Sequence, residues 1–565
     1  MKFPSWKRTK IFFGILLKKL SLIEKIIVSI LLVLVIADLF GAFSFIFNKG
    51  GNILPTKGGI LVEGMVGQPK FINPLYAKSE VDKALSSLVF SGLVAYDKQR
   101  RIVPGLAQSW DVSENKQDYT FYLKKNVKWH DGSSFSADDV VYTLAVLQNP
   151  DYNEAMKPIW DGVTIEKKDG YTVVYHLPKP YPLFLENATV GILPVKQWQN
   201  IAVKDFAMST LNINPIGTGP YVIDTVNRDS SENLITSIKF VGSDFFVGGS
   251  PYIENLETKF YKSKDDLIKG FSQKEFSSFG LYSADAAVVA EKTGGYNNYN
   301  VNLPQYVALF FNMSKVSVLN DKSVRQALAY AIDKNKVNTV ATYSAGVPID
   351  SPILPGYLGY NAEVKKYSID QKGAIALLTQ AGWSDQNGDG VEEKDVNRLE
   401  FDLVTSDDPQ FVRTANELSA EWAKIGVKAN VKVFDVAQLE RDYITTRNYD
   451  LLLIGQNIGG NSDLYPYWHS TQIKYPGLNL AVYANGEVDK LLEEARQSDD
   501  TNVKIKDYKK FQDIVAEELP AIFIYQPVYV YKIYDKVRGI DLSGIINTWD
   551  RFYDVANWYV KYRAK

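Results

Sequence analysis

The chain has 565 residues, 46% of them hydrophobic and 13% aromatic, with a net charge of −2 and no cysteine. That length and apolar content can bury a large core, about three domains' worth of globular protein, which excludes a disordered chain. The near-neutral charge excludes a broad phosphate-binding face and nucleic acid as partner, and the missing cysteines exclude disulfides, thiolate metal sites, cysteine nucleophiles and a lipidated cysteine anchor.

Residues 26–47 read IIVSILLVLVIADLFGAFSFIF, interrupted only by Asp38, and can cross about 30 Å of hydrocarbon. Lys2, Lys7, Arg8, Lys10, Lys18, Lys19 and Lys25 precede them against the single acid Glu24. This bias keeps 1–25 in the cytoplasm and places everything after Phe47 outside. The apolar run exceeds a signal-peptide core and no small-x-small cleavage site follows, so an uncleaved anchor is expected over a cleaved leader. The polar stretch 48–57 reads as a linker.

Further on, QSWDVSENKQDYTFYLKK (108–125) is predicted to be a hairpin: an alternating strand, a polar turn and an aromatic-rich strand. Ser136 with Asp139 makes a capping box for a helix that buries Val140, Val141, Leu144 and Leu147 and stops before Pro150. Ser79 with Asp82 opens an earlier helix the same way, with Leu85, Leu88 and Val89 on its apolar side. DKSVRQALAYAIDKNKV (321–337) sets Val324, Ala327, Leu328, Ala331 and Ile332 at spacings of three and four behind an Asp cap, which predicts a core-packed helix. LEFDLVTS (399–406) reads as a strand. Phe411, Ala415, Leu418, Trp422 and Ile425 then form one helix face closed by Gly426. VKANVKVF (427–434) alternates again, and YDLLLIG (449–455) is a nearly continuous apolar strand. Strand, helix, strand, helix, strand with short connections implies parallel pairing. PAIFIYQPVYVYKI (520–533) returns to aromatic strand character.

Catalytic patterns are scarce. With only His130, His176 and His469 there is no HExxH, and neither a P-loop nor a GxSxG elbow occurs. Ser113-Glu-Asn-Lys116 with Lys292-Thr-Gly294 downstream has the order of two motifs of penicillin-interacting serine enzymes. Such a serine must begin a buried helix, whereas Ser113 falls in a polar turn, and the third motif is missing. Asp385, Asn387 and Asp389 with Gly390 match the first half of a calcium loop, but its twelfth position is Val396 rather than Glu. The segment reads as an Asn/Gly turn, with a structural calcium as the alternative. Nothing nucleophilic lies near His130, so Trp129-His130-Asp131-Gly132 reads as structural.

Several segments resemble one family: PGLAQSWDVSENKQDYTFYLKKNVKWHDGSSFSADDVVYTL (104–144), NPIGTGPYVI (214–223), FFNMSKVSVLNDKSVRQALAYAIDKNKV (310–337), ALLTQAGW (376–383), YANGEVDKLLEEA (483–495) and ELPAIFIY (518–525). In this order they are similar to the extracellular solute-binding proteins, family 5, of ABC importers, the oligopeptide-, dipeptide- and nickel-binding family. The similarity runs over 60–534. It implies an α/β, bilobed, periplasmic-binding-protein-like (Venus flytrap) fold with mixed sheets, preceded here by the transmembrane helix. Lobe I would comprise 58–304 and 522–565 and lobe II 305–521, hinged by two crossing segments. A peptide or similar small solute would bind between the lobes without covalent chemistry, and a membrane permease would read the closed state. The protein would thus be no enzyme and need no cofactor beyond the candidate calcium. An oligosaccharide ligand and a membrane-anchored sensor or receptor remain as alternatives.

The resemblance also implies site residues. Gly67 and Gln68, in MVGQPKFINP (65–74), should line the cleft with Asn457, and Tyr465 and Trp468 are candidates for stacking on ligand or for ordinary core. Peptide binders of the family carry a Trp after the glycine that ends the apolar strand, and three residues later an acid that pairs with the peptide ammonium. Here those positions are Gln456 and Gly459. The nearest acid is Asp463, which either takes that role through a shifted loop or belongs to a protein whose ligand has no α-ammonium.

Overall fold

The computed structural model describes residues 53–564 apart from 153, 155, 182–183, 283–293 and 461–462, together with Ser21. The expected membrane segment 26–47 and the pair Lys292 and Thr293 lie outside the described residues. Among the described residues, no helix is long and apolar enough to cross a membrane. Gly58–Val560 is one compact unit, and Met1–Lys57 with Lys561–Lys565 form the other. In the latter, Ile53–Thr56 pairs antiparallel with Lys561–Ala564, a strand where the sequence suggests linker. Its partner is at the far end of the chain, so no local pattern announces it.

Within Gly58–Val560 the larger sheet has seven strands in the order Tyr296–Asn302, Val528–Tyr534, Ser278–Tyr282, Ile60–Val66, Asn255–Tyr261, Ile235–Gly242 and Tyr221–Arg228. The central pairs, Ile60–Val66 with Ser278–Tyr282 and with Asn255–Tyr261, are parallel, and the outer pairs are antiparallel. A separate four-stranded antiparallel sheet contains the expected hairpin, Ala107–Val112 with Asp118–Leu123. The helix Ala137–Gln148 packs beside it, and its Ser136–Asp139 capping box is complete. Ser79 caps Glu80–Val89 through the Asp82 amide, but the Asp82 carboxylate does not close a box. It accepts instead from the Lys70 and Phe71 amides at 2.7 and 2.9 Å, tethering the loop that follows Gly67 and Gln68.

A six-stranded sheet runs Val347–Pro348, Ala521–Gln526, Gln305–Phe311, Leu451–Asn457, Glu400–Ser406 and Lys428–Phe434. The last three are parallel, as the alternation of strands and helices predicts. Both faces are covered: Val307, Leu309 and Phe311 join one apolar cluster, while Tyr306, Ala308 and Phe310 join another. Residues on a doubly covered strand are buried at every position, which explains its continuous apolar run. Lys428–Phe434 is the edge strand, so Val433 is 43% exposed despite its alternating pattern. The helix expected over 321–337 is two helices, Lys322–Tyr330 and Lys334–Thr342, because the Asp333 carboxylate caps the amides of Asn335 and Lys336 and restarts the turn.

The aromatic run 520–533 is likewise two strands. Ala521–Gln526 belongs to the six-stranded sheet and Val528–Tyr534 to the seven-stranded one, with Pro527 between them. A proline cannot donate to a ladder, so the pairing changes partners there. The other crossing, from Tyr296–Asn302 to Gln305–Phe311, passes through Leu303-Pro304. The Gln526 amide donates to the Leu303 carbonyl at 2.8 Å, tying the two crossings together.

Candidate functional site

His130 joins two of the sequence motifs. Its Nδ1 accepts the Gly217 amide hydrogen at 3.3 Å, its Nε2 lies 3.0 Å from the Gly219 carbonyl, and its backbone N–H donates to the Gly217 carbonyl at 2.9 Å. These partners require the neutral tautomer protonated at Nε2. Burial pushes the His130 pKa below the ordinary histidine range, against the opposing pull of the Gly219 carbonyl and Asp131. The unfolded chain therefore takes up this proton at a higher pH than the folded one. The clamp's full contribution is present above about pH 6.5 and is lost as pH falls through the lowered folded value. In urea titrations, His130→Gln should lose less stability than wild type on going from about pH 7 to pH 5. Equal losses would show that His130 does not couple stability to pH in this range.

The two sheets' bodies meet through named contacts. Asn457 Nδ2 donates to Asn547 Oδ1 at 3.0 Å. A Cβ on Gly460 would lie 2.2 Å from Ile546 Cδ1, so the lobes approach closely there. The Arg100 guanidinium lies over the Tyr357 ring and donates to its hydroxyl, and it also reaches the Ile545 carbonyl at 3.4 Å. Lys264 reaches Asp408 at 3.7 Å, and Lys116 pairs with Asp499 at 2.8 Å. Glu80 lies in the field of Arg551, Lys83 and Lys264, and desolvation outweighs these cations to raise its carboxyl pKa.

Gly67 has φ +110°, a left-handed conformation suited to glycine, and its amide donates to the Tyr261 carbonyl at 2.9 Å. Both ends of the Gln68 amide bind the Ile235 backbone, at 3.0 and 3.1 Å, so Gln68 fastens the loop to the sheet. Asn457 stands at the lobe boundary. Trp468 is 1% exposed and packs on Phe511 and Phe523 inside the body built on the six-stranded sheet. Gln456 is also buried, accepting from the Tyr306 hydroxyl at 2.6 Å and donating to the Leu478 carbonyl at 2.9 Å.

Asp463 and Tyr465 are brought together with a residue that sequence reading missed, Arg496. Arg496 Nε lies 3.3 Å from Asp463 Oδ2, where the aspartate side chain is only 10% exposed. Desolvation raises the Asp463 pKa, and Arg496 opposes that rise. Across the lobe boundary, the Tyr181 hydroxyl feels Arg496 and Asp463 with opposite sign. Arg496 lies in the last turn of the helix Gly486–Gln497 and carries no motif of its own, so only its spatial neighbours distinguish it.

Asp385, Asn387 and Asp389 find partners within their own turn and the hairpin that follows it. Asp385 accepts the amides of Gly388 and Gly390, Asn387 donates to Glu393, and Asp389 is paired with Arg398 at 2.7 Å. The guanidinium supplies the positive charge a cation would bring, and among the described residues no group of three or more His, Asp or Glu is placed to hold a metal. Ser113 lies in the turn between two strands, where its hydroxyl accepts the Asp118 amide, and Lys116 is engaged with Asp499. Neither is arranged for acyl transfer.

Comparison with known proteins matches this architecture. The chain is 28% identical over 484 residues to the oligopeptide-binding protein AppA of Bacillus subtilis (strain 168), covering 84% of this chain and 87% of that one. Its fold superposes on the structure of AppA from Bacillus subtilis in complex with a nonapeptide, with TM-score 0.73, 26% identity and coverage of 90% and 100%. NikZ from Campylobacter jejuni in complex with Ni(L-His) gives TM-score 0.71, 28% identity and coverage of 88% and 99%. Residues 101–475 match the family described as bacterial extracellular solute-binding proteins, family 5 middle. That match spans more than half of the chain, across both sheets and both motifs clamped by His130, and the chain therefore belongs to the bacterial extracellular solute-binding proteins of family 5.

Proposed function

We propose that this protein captures a peptide or a similar small solute between its two lobes and delivers it to the permease of an ABC importer, held at the outer face of the membrane by segment 26–47. The carrying observation is the pair of crossings at 302–305 and 526–528, bridged by Gln526 and Leu303. Two bodies whose chain connections are these short adjacent crossings can rotate about them, and a solute that contacts both bodies stabilises the closed arrangement. The lobes divide at these crossings, so Ala521–Gln526 falls with lobe II. Relatives with this fold bind a nonapeptide in one case and a nickel–histidine complex in another, and a peptide is the reading favoured here. Gly67, Asn457, Asp463 and Tyr465 lie closest to the solute in this reading. The chain acts as a binding protein and makes or breaks no covalent bond.

Mass spectrometry of small molecules released from the purified full-length chain should find peptides. Adding them back should raise the melting temperature and compact the scattering profile. Release of no peptide, with no compaction by any member of a peptide library, would reject the proposal.

A further inference from the structure

Arg496 is held in a fixed orientation at the lobe boundary. Its guanidinium carbon lies 4.5 Å from the Tyr465 ring centroid. That ring stacks on His469, with centroids 4.0 Å apart and planes 19° apart. His469 is pinned in turn: its Nδ1 accepts the Thr471 amide hydrogen at 3.1 Å, and its Nε2 lies 3.2 Å from Glu493. The contact with the Tyr465 ring and the pairing of Nε with Asp463 restrict the guanidinium, so little further entropy is lost when it binds. The Nε edge faces Asp463. Among the described residues the two terminal nitrogens make no hydrogen bond, and the side chain is 32% exposed. The Tyr181 hydroxyl, on the other lobe, and the Lys504 ammonium are both within electrostatic reach of Asp463.

We propose that Arg496 binds a carboxylate of the solute through its terminal nitrogens, with Asp463 and Tyr465 as positioning residues that hold the guanidinium plane. The inference rests on the reading that a peptide-like solute occupies the space between the lobes. A planar fork with two free donors matches a carboxylate in bidentate fashion. An ammonium at the same place would meet a guanidinium instead of a free acid, which is why the solute's negative end is assigned here.

The test uses the full-length chain and two pools of matched hexapeptides without acidic side chains, one ending in a free carboxylate and the other in an amide. Calorimetry should show the acid pool binding at least about tenfold more tightly. Arg496→Lys should keep part of the preference. The double variant Asp463→Asn/Arg496→Gln, which leaves no unpaired buried carboxylate, should bind both pools alike, and a cooperative melt in the absence of peptide shows that it is folded. Equal binding of both pools by wild type, or a preference that survives in the double variant, overturns the assignment while leaving the peptide reading intact. If neither pool binds, the peptide reading falls. The molecule that copurifies with the full-length chain then decides for Arg496: a carboxylic acid lost from the double variant supports the assignment, and a molecule without a carboxylate overturns it.

Discussion

Gly217→Ala is expected to destabilise the protein by about 3 kcal/mol or more, the upper range for overpacking a rigid site. A Cβ at Gly217 would lie 1.8 Å from the Val89 carbonyl oxygen and 2.7 Å from its carbon. Both are backbone atoms at the end of the helix Glu80–Val89, and neither can swing aside as a side-chain tip would. Relief would require shifting the 214–223 loop, which also strains the His130 contacts to Gly217 and Gly219. Urea unfolding should show the midpoint falling with an unchanged slope. Gly170→Ala is the matched control, since a Cβ there has nothing within 4 Å, and its effect should stay within about 0.5 kcal/mol. If the two substitutions behave alike, the close approach at Gly217 is not what shapes this lobe.

Arg551→Met should cost about 3–5 kcal/mol, the range for removing one partner of a buried ion pair. Glu63 is fully buried in the strand Ile60–Val66, and Arg551 Nε donates to its Oε1 at 2.9 Å. The Tyr531 hydroxyl donates to Oε2 at 2.9 Å, and the Ser278 hydroxyl donates to it as well. Arg551 Nη1 completes the arrangement by donating to the Thr548 carbonyl at 2.8 Å. Without the guanidinium, Glu63 keeps two neutral donors but no countercharge in a site without water contact. The double variant Glu63→Gln/Arg551→Met removes both charges and should recover most of the loss. A single variant no less stable than the double would show that the pair contributes nothing. Because Tyr531 lies on the strand that enters from the crossing at Pro527, the single variant should also weaken solute binding.

Much of the fold is legible in the chain because the signals are local. The Ser136–Asp139 box, the hairpin around Ser113 and the parallel strand–helix alternation over 399–455 each rest on spacings of a few residues. Where the pattern misleads, the cause is a single residue acting against its surroundings: Asp333 caps a second helix inside one apolar stripe, and Pro527 divides one aromatic run between two sheets. Asp385 and Asp389 look like calcium ligands in sequence, yet backbone amides and Arg398 take up their oxygens.

The site was less legible. Gln68 and Trp468 carry the residue types expected of a ligand contact, but one is bound to Ile235 and the other lies in a core. Arg496 has no motif, and its significance comes from Asp463, Tyr465 and Tyr181, none of them its neighbours in the chain.

By itself, the order of residues determined the class of protein, the capped helices, the alternating strands and the membership in a solute-binding family, because periodicity and short motifs act through neighbours three or four positions away. Only the tertiary structure decided that His130 clamps the 214–223 loop, that Glu63 meets Arg551 from 488 residues away, and that Arg496 stands ready beside Asp463. A buried charge or an imidazole is satisfied by whatever the packed chain brings within hydrogen-bond distance, and that distance is set by the closing of the sheets.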